Sequence, residues 1–270
     1  MSTRLPTYFI SHGGGPWPWM PDQLNGMYRN LAAALADMPR QIGVTPKALL
    51  VISGHWEERD FAVMAHPHPP MLYDYYGFPP HTYEITYAAP GSPAVAARVL
   101  ALLQGAGLKG HLDTERGFDH GTFTPLAVMY PKAEIPVVQL SLRADFDPSA
   151  HLALGRALAP LRDEGILIIG SGLSYHNLRA MGPVARAPSQ AFDGWLDQAL
   201  ASSEAGREAQ LIDWASAPSA RFAHPREEHL LPLMVAVGAA SDEAATRCYH
   251  EDTMFGGVTV SSYRFGGAPA

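Results

Sequence analysis

Short apolar runs bounded by glycine, proline and small polar residues recur along this chain. They alternate with longer stretches in which apolar residues return every three or four positions. Residues 7–11, 48–53, 61–65, 136–142 and 166–171 are short and nearly continuously apolar, which predicts strands buried on both faces. The stretch 256–265 instead alternates Val258, Val260, Ser262 and Arg264 against Thr259, Ser261, Tyr263 and Phe265, and predicts a terminal strand. Helical spacing of Leu24, Met27, Leu31, Ala34 and Leu35 predicts an amphipathic helix over 22–37, with Asp22 as N-cap after Pro21. Ser92-Pro93 opens a helix over 93–104, and Asp147-Pro148 opens another that runs to about 163 and stops at Gly165. Helices are also predicted over 122–130, over most of 188–216 and over the apolar run 229–240. Strands alternating with helices predict an α/β fold. With no repeat or low-complexity segment, a single domain over 1–270 is the simplest account.

Three of the buried runs end in small residues followed by a histidine: Ser11-His12, Ser53-Gly54-His55, and Gly172-Leu173-Ser174-Tyr175-His176. Open α/β sheets collect ligands beyond the carboxyl ends of their strands, so histidines remote in sequence can converge there. A convergent set of imidazoles suits a divalent metal. A histidine after one strand is otherwise an ordinary polar group. Its recurrence in the same context makes the cluster the candidate centre.

Around that centre the local signals are mixed. Gly13-Gly14-Gly15 permits positive φ and a close approach to the backbone, and serves equally as a turn. The aromatic patch Trp17-Pro18-Trp19 either walls a pocket or covers a core edge. Segment 66–90, rich in proline, tyrosine and histidine, predicts a long functional loop, either over a flat ring or packed on the exterior. His120 lies between Asp119 and Gly121 at a helix start. The neighbouring carboxylate either tunes it for acid–base work or belongs to a capping cluster. His229 follows Glu227-Glu228 at another helix start. His66, His68, His81, His111, His151 and His250 are assigned to surface or structure.

Composition narrows the function. A net charge of −7 without a basic stripe argues against a nucleic-acid partner. Cys248 is the one cysteine, so thiolate zinc clusters and intrachain disulfides are excluded and a reducing, cytoplasmic setting is expected. No apolar run is long enough to span a membrane, and no secretory leader pattern opens the sequence. Glu228-His229 continues as Leu230-Leu231-Pro232, so the zinc-peptidase pattern H-E-x-x-H is missing. A serine nucleophile elbow, a P-loop lysine and a dinucleotide fingerprint are missing too.

Taken in order, several motifs resemble the 4,5-DOPA extradiol dioxygenase type of class III ring-cleaving dioxygenases. They are Ser11-His12-Gly13-Gly14, Ser53-Gly54-His55-Trp56, Gly77-Phe78-Pro79, Ala89-Pro90-Gly91-Ser92-Pro93, Gly117-Phe118-Asp119-His120-Gly121, Ser171–Arg179 and Glu228–Leu233. They extend from about residue 8 to 240. The resemblance implies a single α/β domain around a mixed, largely parallel sheet flanked by helices, with the metal at the carboxyl ends of strands. It implies His12, His55 and His229 as metal ligands, His176 as the acid–base residue (also able to coordinate in a resting zinc form), and His120 as a pocket residue toward substrate or oxygen. It further implies Fe(II) as the working metal, with Zn²⁺ possible in purified protein, and a catechol and O2 as reactants. Gly14-Gly15-Pro16 and Tyr73-Asp74-Tyr75-Tyr76 depart from the family's usual residues at the pocket wall, which bears on substrate identity. A zinc hydrolase on the same scaffold and a non-enzymatic binding protein are the alternatives. For a substrate carboxylate, Arg143, Arg179 and Arg221 are the candidate anchors.

Overall fold

The computed structural model describes residues 4–20, 24 and 26–267. In chain order the elements are β1 (Thr7–Ser11), α1 (Arg29–Ile42), β2 (Ala48–Glu58), β3 (Phe61–Met64), α2 (Pro93–Gly105), β4 (Gly110–Asp113), α3 (His120–Met129) and β5 (Val137–Arg143). There follow α4 (Pro148–Leu158), β6 (Ile166–Gly172), α5 (Arg186–Ala201), α6 (Glu204–Ile212), α7 (Ala220–Ala223), α8 (Leu231–Ala240), β7 (Ala245–Met254) and β8 (Val258–Phe265). One eight-stranded sheet runs β4-β3-β5-β2-β6-β1-β8-β7. Its centre, β5-β2-β6-β1, is parallel, and antiparallel pairs join it to β3 on one side and β8 on the other. The predicted mixed, largely parallel sheet flanked by helices is therefore what forms.

Side chains alternate across a strand, and β6 uses that alternation to seat different neighbours on its two faces. A Cβ on Gly170 would lie 2.2 Å from the carbonyl oxygen of Pro232, and one on Gly172 would lie 2.1 Å from that of His229. The backbone leading into α8 therefore lies directly on the strand, which only glycine permits. Ser171, between them, turns to the opposite face and donates from Oγ to Gly121 O in α3, at 2.5 Å. The sheet is thus covered by α8 on one side and α3 on the other. Both of their N-terminal ends arrive at the carboxyl ends of β2, β6 and β1.

Several boundaries differ from the sequence reading. The first helix spans Arg29–Ile42 rather than 22–37, because the buried stripe Leu31, Leu35, Met38, Ile42 continues to a left-handed cap at Gly43. The proposed cap Asp22 lies outside the described residues. Residues 188–216 break into α5 and α6 where Ser203 accepts from Gly206 N and caps a new helix. β2 continues past 53 to Glu58 through an irregular stretch, so His55 stands within the strand rather than beyond it. Strands β4 and β7 were not anticipated. β4 is four residues long and mostly exposed, and much of β7 is polar and exposed at the sheet edge, so neither shows a buried apolar run.

Candidate metal centre

Five histidines meet at the carboxyl ends of the central strands. His12 follows β1, with its backbone N–H donating to Gly172 O on β6. Gly13 and Gly15 then adopt φ of +79° and +54°, and added Cβ atoms would collide with Trp17 and Phe78. The glycine triplet is therefore not a loose turn, and all three residues line the cavity beside the histidines. It lets aromatic rings press on the backbone beside His12, and Trp17 Nε1 donates to His12 O at 2.8 Å.

His55 comes from β2, next to Gly54, whose missing side chain leaves room for the Glu228 backbone. His120 is the first residue of α3, and Gly121 after it leaves room for Ser53 and the His55 ring. His229 precedes α8 and is placed by the close seat on β6, where Leu173 N donates to His229 O at 3.0 Å. Ring centroids lie 4.9 Å apart for His12–His55, 5.2 Å for His12–His229, 4.7 Å for His55–His229 and 4.0 Å for His55–His120. His176 stacks on His229 at 3.3 Å.

Two carboxylates organise these rings, and the sequence reading assigned neither. Asp74, on the long loop, accepts from His120 N at 2.9 Å, and its Oδ1 lies 2.8 Å from His120 Nδ1. Its other oxygen is 3.4 Å from His55 Nδ1. Glu228 Oε1 lies 3.0 Å from both His176 Nδ1 and His229 Nδ1. Each carboxylate therefore binds the Nδ1 of two histidines and turns their Nε2 atoms inward, the usual way a protein orients imidazole ligands. Burial opposes ionisation of Glu228, but its bond to His176 and further contacts bring its carboxyl below the ordinary value. The expected partner of His120, Asp119, does something else. It caps α3 by accepting from Thr122 N at 3.1 Å and also takes Ser53 Oγ, Gln139 Nε2 and Arg116. The capping alternative is thus the one that holds, and Asp74 supplies the carboxylate.

This donor set fits a divalent cation. His12 is buried, and neither ring nitrogen has a hydrogen-bond partner, a costly state for a polar group in the absence of a ligand. With Nδ1–H of His55 and His229 directed at carboxylates, their Nε2 lone pairs face each other at 3.1 Å. Two imidazole nitrogens bound side by side to one ion at about 2.1 Å stand roughly that far apart. Burial, and then the neighbouring histidines, push His12, His55 and His229 well below the ordinary histidine pKa, so their lone pairs are available at neutral pH. Two triads have ligand atoms within 4.8 Å of one another: His12/His55/His120 and His176/Glu228/His229. They adjoin through the His55–His229 contact.

A cavity of about 790 Å³ opens onto the cluster, walled by Tyr28, Tyr75, Phe78, Leu173, Tyr175 and Phe255 among others. The long loop contributes Tyr75, Tyr76 and Phe78 to it, so of its two readings the wall of a ring-sized chamber is realised. None of Arg143, Arg179 and Arg221 lines the cavity, whereas Arg226 does. The remaining assignments to surface or structure stand for His151, which is buried with its Nε2 accepting from Arg143 N and its Nδ1 bonded to Asp147 O. His224 is another buried imidazole, donating from Nε2 to Ser174 O at 3.0 Å beneath the His176 turn.

A parallel-centred α/β sheet with a buried imidazole cluster at its strand ends and an aromatic-walled chamber above has the parts of a metal-dependent site for a small molecule. The comparisons specify the kind. Residues 6–266 match the catalytic LigB subunit of aromatic ring-opening dioxygenase, and the chain belongs to that family. It is 40% identical over 264 residues to 4,5-DOPA dioxygenase extradiol of Beta vulgaris, covering 96% of each chain. Dioxygenase tasH of Hapsidospora irregularis is 37% identical over 99% of this chain and 88% of its own length. A crystal structure of an uncharacterised protein from Escherichia coli K12 superposes with a TM-score of 0.75 at 30% identity, covering 97% of this chain and all of that one. The chain is an extradiol ring-cleaving dioxygenase of the class III type.

Proposed function

We propose that the chain acts throughout its length as one catalytic domain that opens a catecholic ring with O2. Fe(II) would be held by His12, His55 and His229, and the enzyme would work in the cytoplasm, as its single Cys248 suggests. The observation that carries the ligand set is the buried His12 imidazole with two unpartnered nitrogens, beside the facing Nε2 atoms of His55 and His229. Fe(II) held by these neutral imidazoles would supply the positive charge that favours a deprotonated diol and the redox chemistry with O2.

The protein's own residues do the rest. Glu228 accepts the Nδ1–H of His176, leaving His176 Nε2 as the base that takes a proton from the diol and returns it after ring opening. His120, whose Nδ1 is held by Asp74, would hydrogen-bond substrate or oxygen, a role its position on the cavity wall supports. Tyr75, Phe78 and Tyr175 offer flat apolar surface to the ring and exclude water from the chamber.

The deciding experiment is anaerobic loading with Fe(II), followed by oxygen uptake and a search for yellow ring-opened product across a panel of catechols. Iron-loaded protein that turns over none of them sinks the reading. Zinc also suits an all-nitrogen set, so a zinc-loaded sample belongs in the same assay and should consume no oxygen.

A further inference from the structure

The reaction needs only the two ring oxygens, but the cavity is larger than a bare diol and its wall is chemically uneven. Its charged residues other than histidine are Glu57, Asp74, Arg226 and Glu228. Both oxygens of Asp74 and Oε1 of Glu228 are committed to histidine Nδ1 atoms, and Oε2 of Glu228 is buried. Most of the remaining wall is aromatic, aliphatic or glycine. A charged group on the substrate, outside the histidine cluster, therefore has the Glu57–Arg226 pair to meet.

That pair is built for orientation. Arg226 donates from its two terminal nitrogens to Oε1 and Oε2 of Glu57, at 2.8 and 2.5 Å. Its guanidinium lies over the Phe146 ring, 4.5 Å from the centroid, and Phe146 is not part of the cavity wall. The plane of the guanidinium is thus held from behind by an aromatic ring and edge-on by a carboxylate. Glu57 is two residues beyond His55 on β2, and Arg226 is three residues before His229, so the pair rides on two of the segments that carry the histidines. A guanidinium has five N–H donors, and the fork to Glu57 uses two of them. Each Glu57 oxygen already accepts one strong bond. Three donors therefore remain on the cation against about two acceptor sites on Glu57, and the larger unused capacity favours an anionic partner.

We propose that Arg226, held by Glu57 and Phe146, is the specificity-determining residue of the chamber and binds the carboxylate of a catechol whose side chain ends in one. The assignment rests on the ring-cleaving reading. Arg226 takes no part in ring opening and reads the tail while the histidines hold the diol. Glu57 fixes the fork and competes mildly with the incoming carboxylate.

Homoprotocatechuate and methylcatechol differ in this one charged group and are the probes. Their kcat/KM values are compared in the Fe(II) enzyme, and their affinities are measured anaerobically by calorimetry. The wild type is expected to prefer homoprotocatechuate in both. In Arg226→Ala the preference ratio should fall by about tenfold to a hundredfold, the worth of one charge-assisted hydrogen bond, mainly through KM. Arg226→Lys should restore part of the ratio, and Glu57→Gln should raise it. An unchanged ratio in a folded Arg226→Ala variant overturns the assignment, as does a wild type that favours methylcatechol. Dopamine binding best, and losing that advantage in Glu57→Gln, would make Glu57 the tail reader and overturn it as well. Absence of oxygen uptake with every catechol would be a failure of the dioxygenase reading instead, and the calorimetric ratio would still decide the role of Arg226.

Discussion

His151 and His12 are both buried, both neutral at physiological pH and both close to sheet ends, yet the fold completes the hydrogen bonding of only one of them. His151 sits in the corner between β5 and α4, where each of its nitrogens is matched by a backbone group. His12 sits among four other imidazoles, and neither of its nitrogens is matched by anything in the chain. Burial alone therefore does not distinguish a structural histidine from a ligand. What distinguishes them is whether the fold has completed the hydrogen bonding of the ring or left it for something the polypeptide does not supply.

The strongest challenge to that contrast is to remove one imidazole of each proposed kind. His12→Ala is expected to purify without its equivalent of iron and to lose turnover, as read by metal analysis after anaerobic reconstitution. His176→Ala should keep the metal and lose about 10²- to 10⁴-fold in turnover, the usual worth of acid–base help. Equal loss of metal in both would make His176 a ligand and erase the distinction between them.

The two carboxylates allow a finer test. Glu228→Gln and Asp74→Asn should each cost about 10- to 100-fold in metal affinity or turnover, the range seen when the partner of a ligating histidine is altered. They should differ in a second respect. Glu228 stands on backbone seated against Gly170 and Gly172, whereas Asp74 also ties the long loop to His120 N. Hydrogen exchange around residues 72–84 should therefore quicken in Asp74→Asn and stay unchanged in Glu228→Gln. Equal protection in the two variants would show that the loop is held by its other contacts.

The smallest effect on activity belongs to His151. Burial lowers its pKa from 6.5 to about 4. The unfolded chain therefore takes up a proton below about pH 6.5 that the native state refuses until about pH 4. Stability is complete above that window and declines as the pH falls through it, by up to about 3 kcal/mol. His151→Gln should flatten this part of the urea-midpoint profile while leaving bound metal unchanged. A loss of metal would mean that completed backbone bonds do not mark a purely structural histidine.

Much of this was legible along the chain. Buried runs gave the central strands, and the strand–histidine junctions at His12, His55 and His176 pointed to one end of the sheet, because parallel strands place their carboxyl ends together. Their order and neighbouring residues carried the family resemblance that the comparisons bear out. Edge strands β4 and β7 were not legible, because pairing at an exposed edge requires no apolar run.

What tertiary structure alone decided is who partners whom. Asp119, adjacent to His120 in sequence, turned out to cap a helix, while Asp74, 46 residues away, holds the ring. Glu228 shares one oxygen between a neighbouring histidine and another 52 residues distant. Arg226 lines the chamber, whereas Arg143, Arg179 and Arg221, the candidates along the sequence, do not. Patterning of apolar residues determines which segments are buried and in what form, since that depends on local periodicity. The pairing of polar atoms depends on contacts between segments, and those exist only once the sheet and its two covering helices have closed.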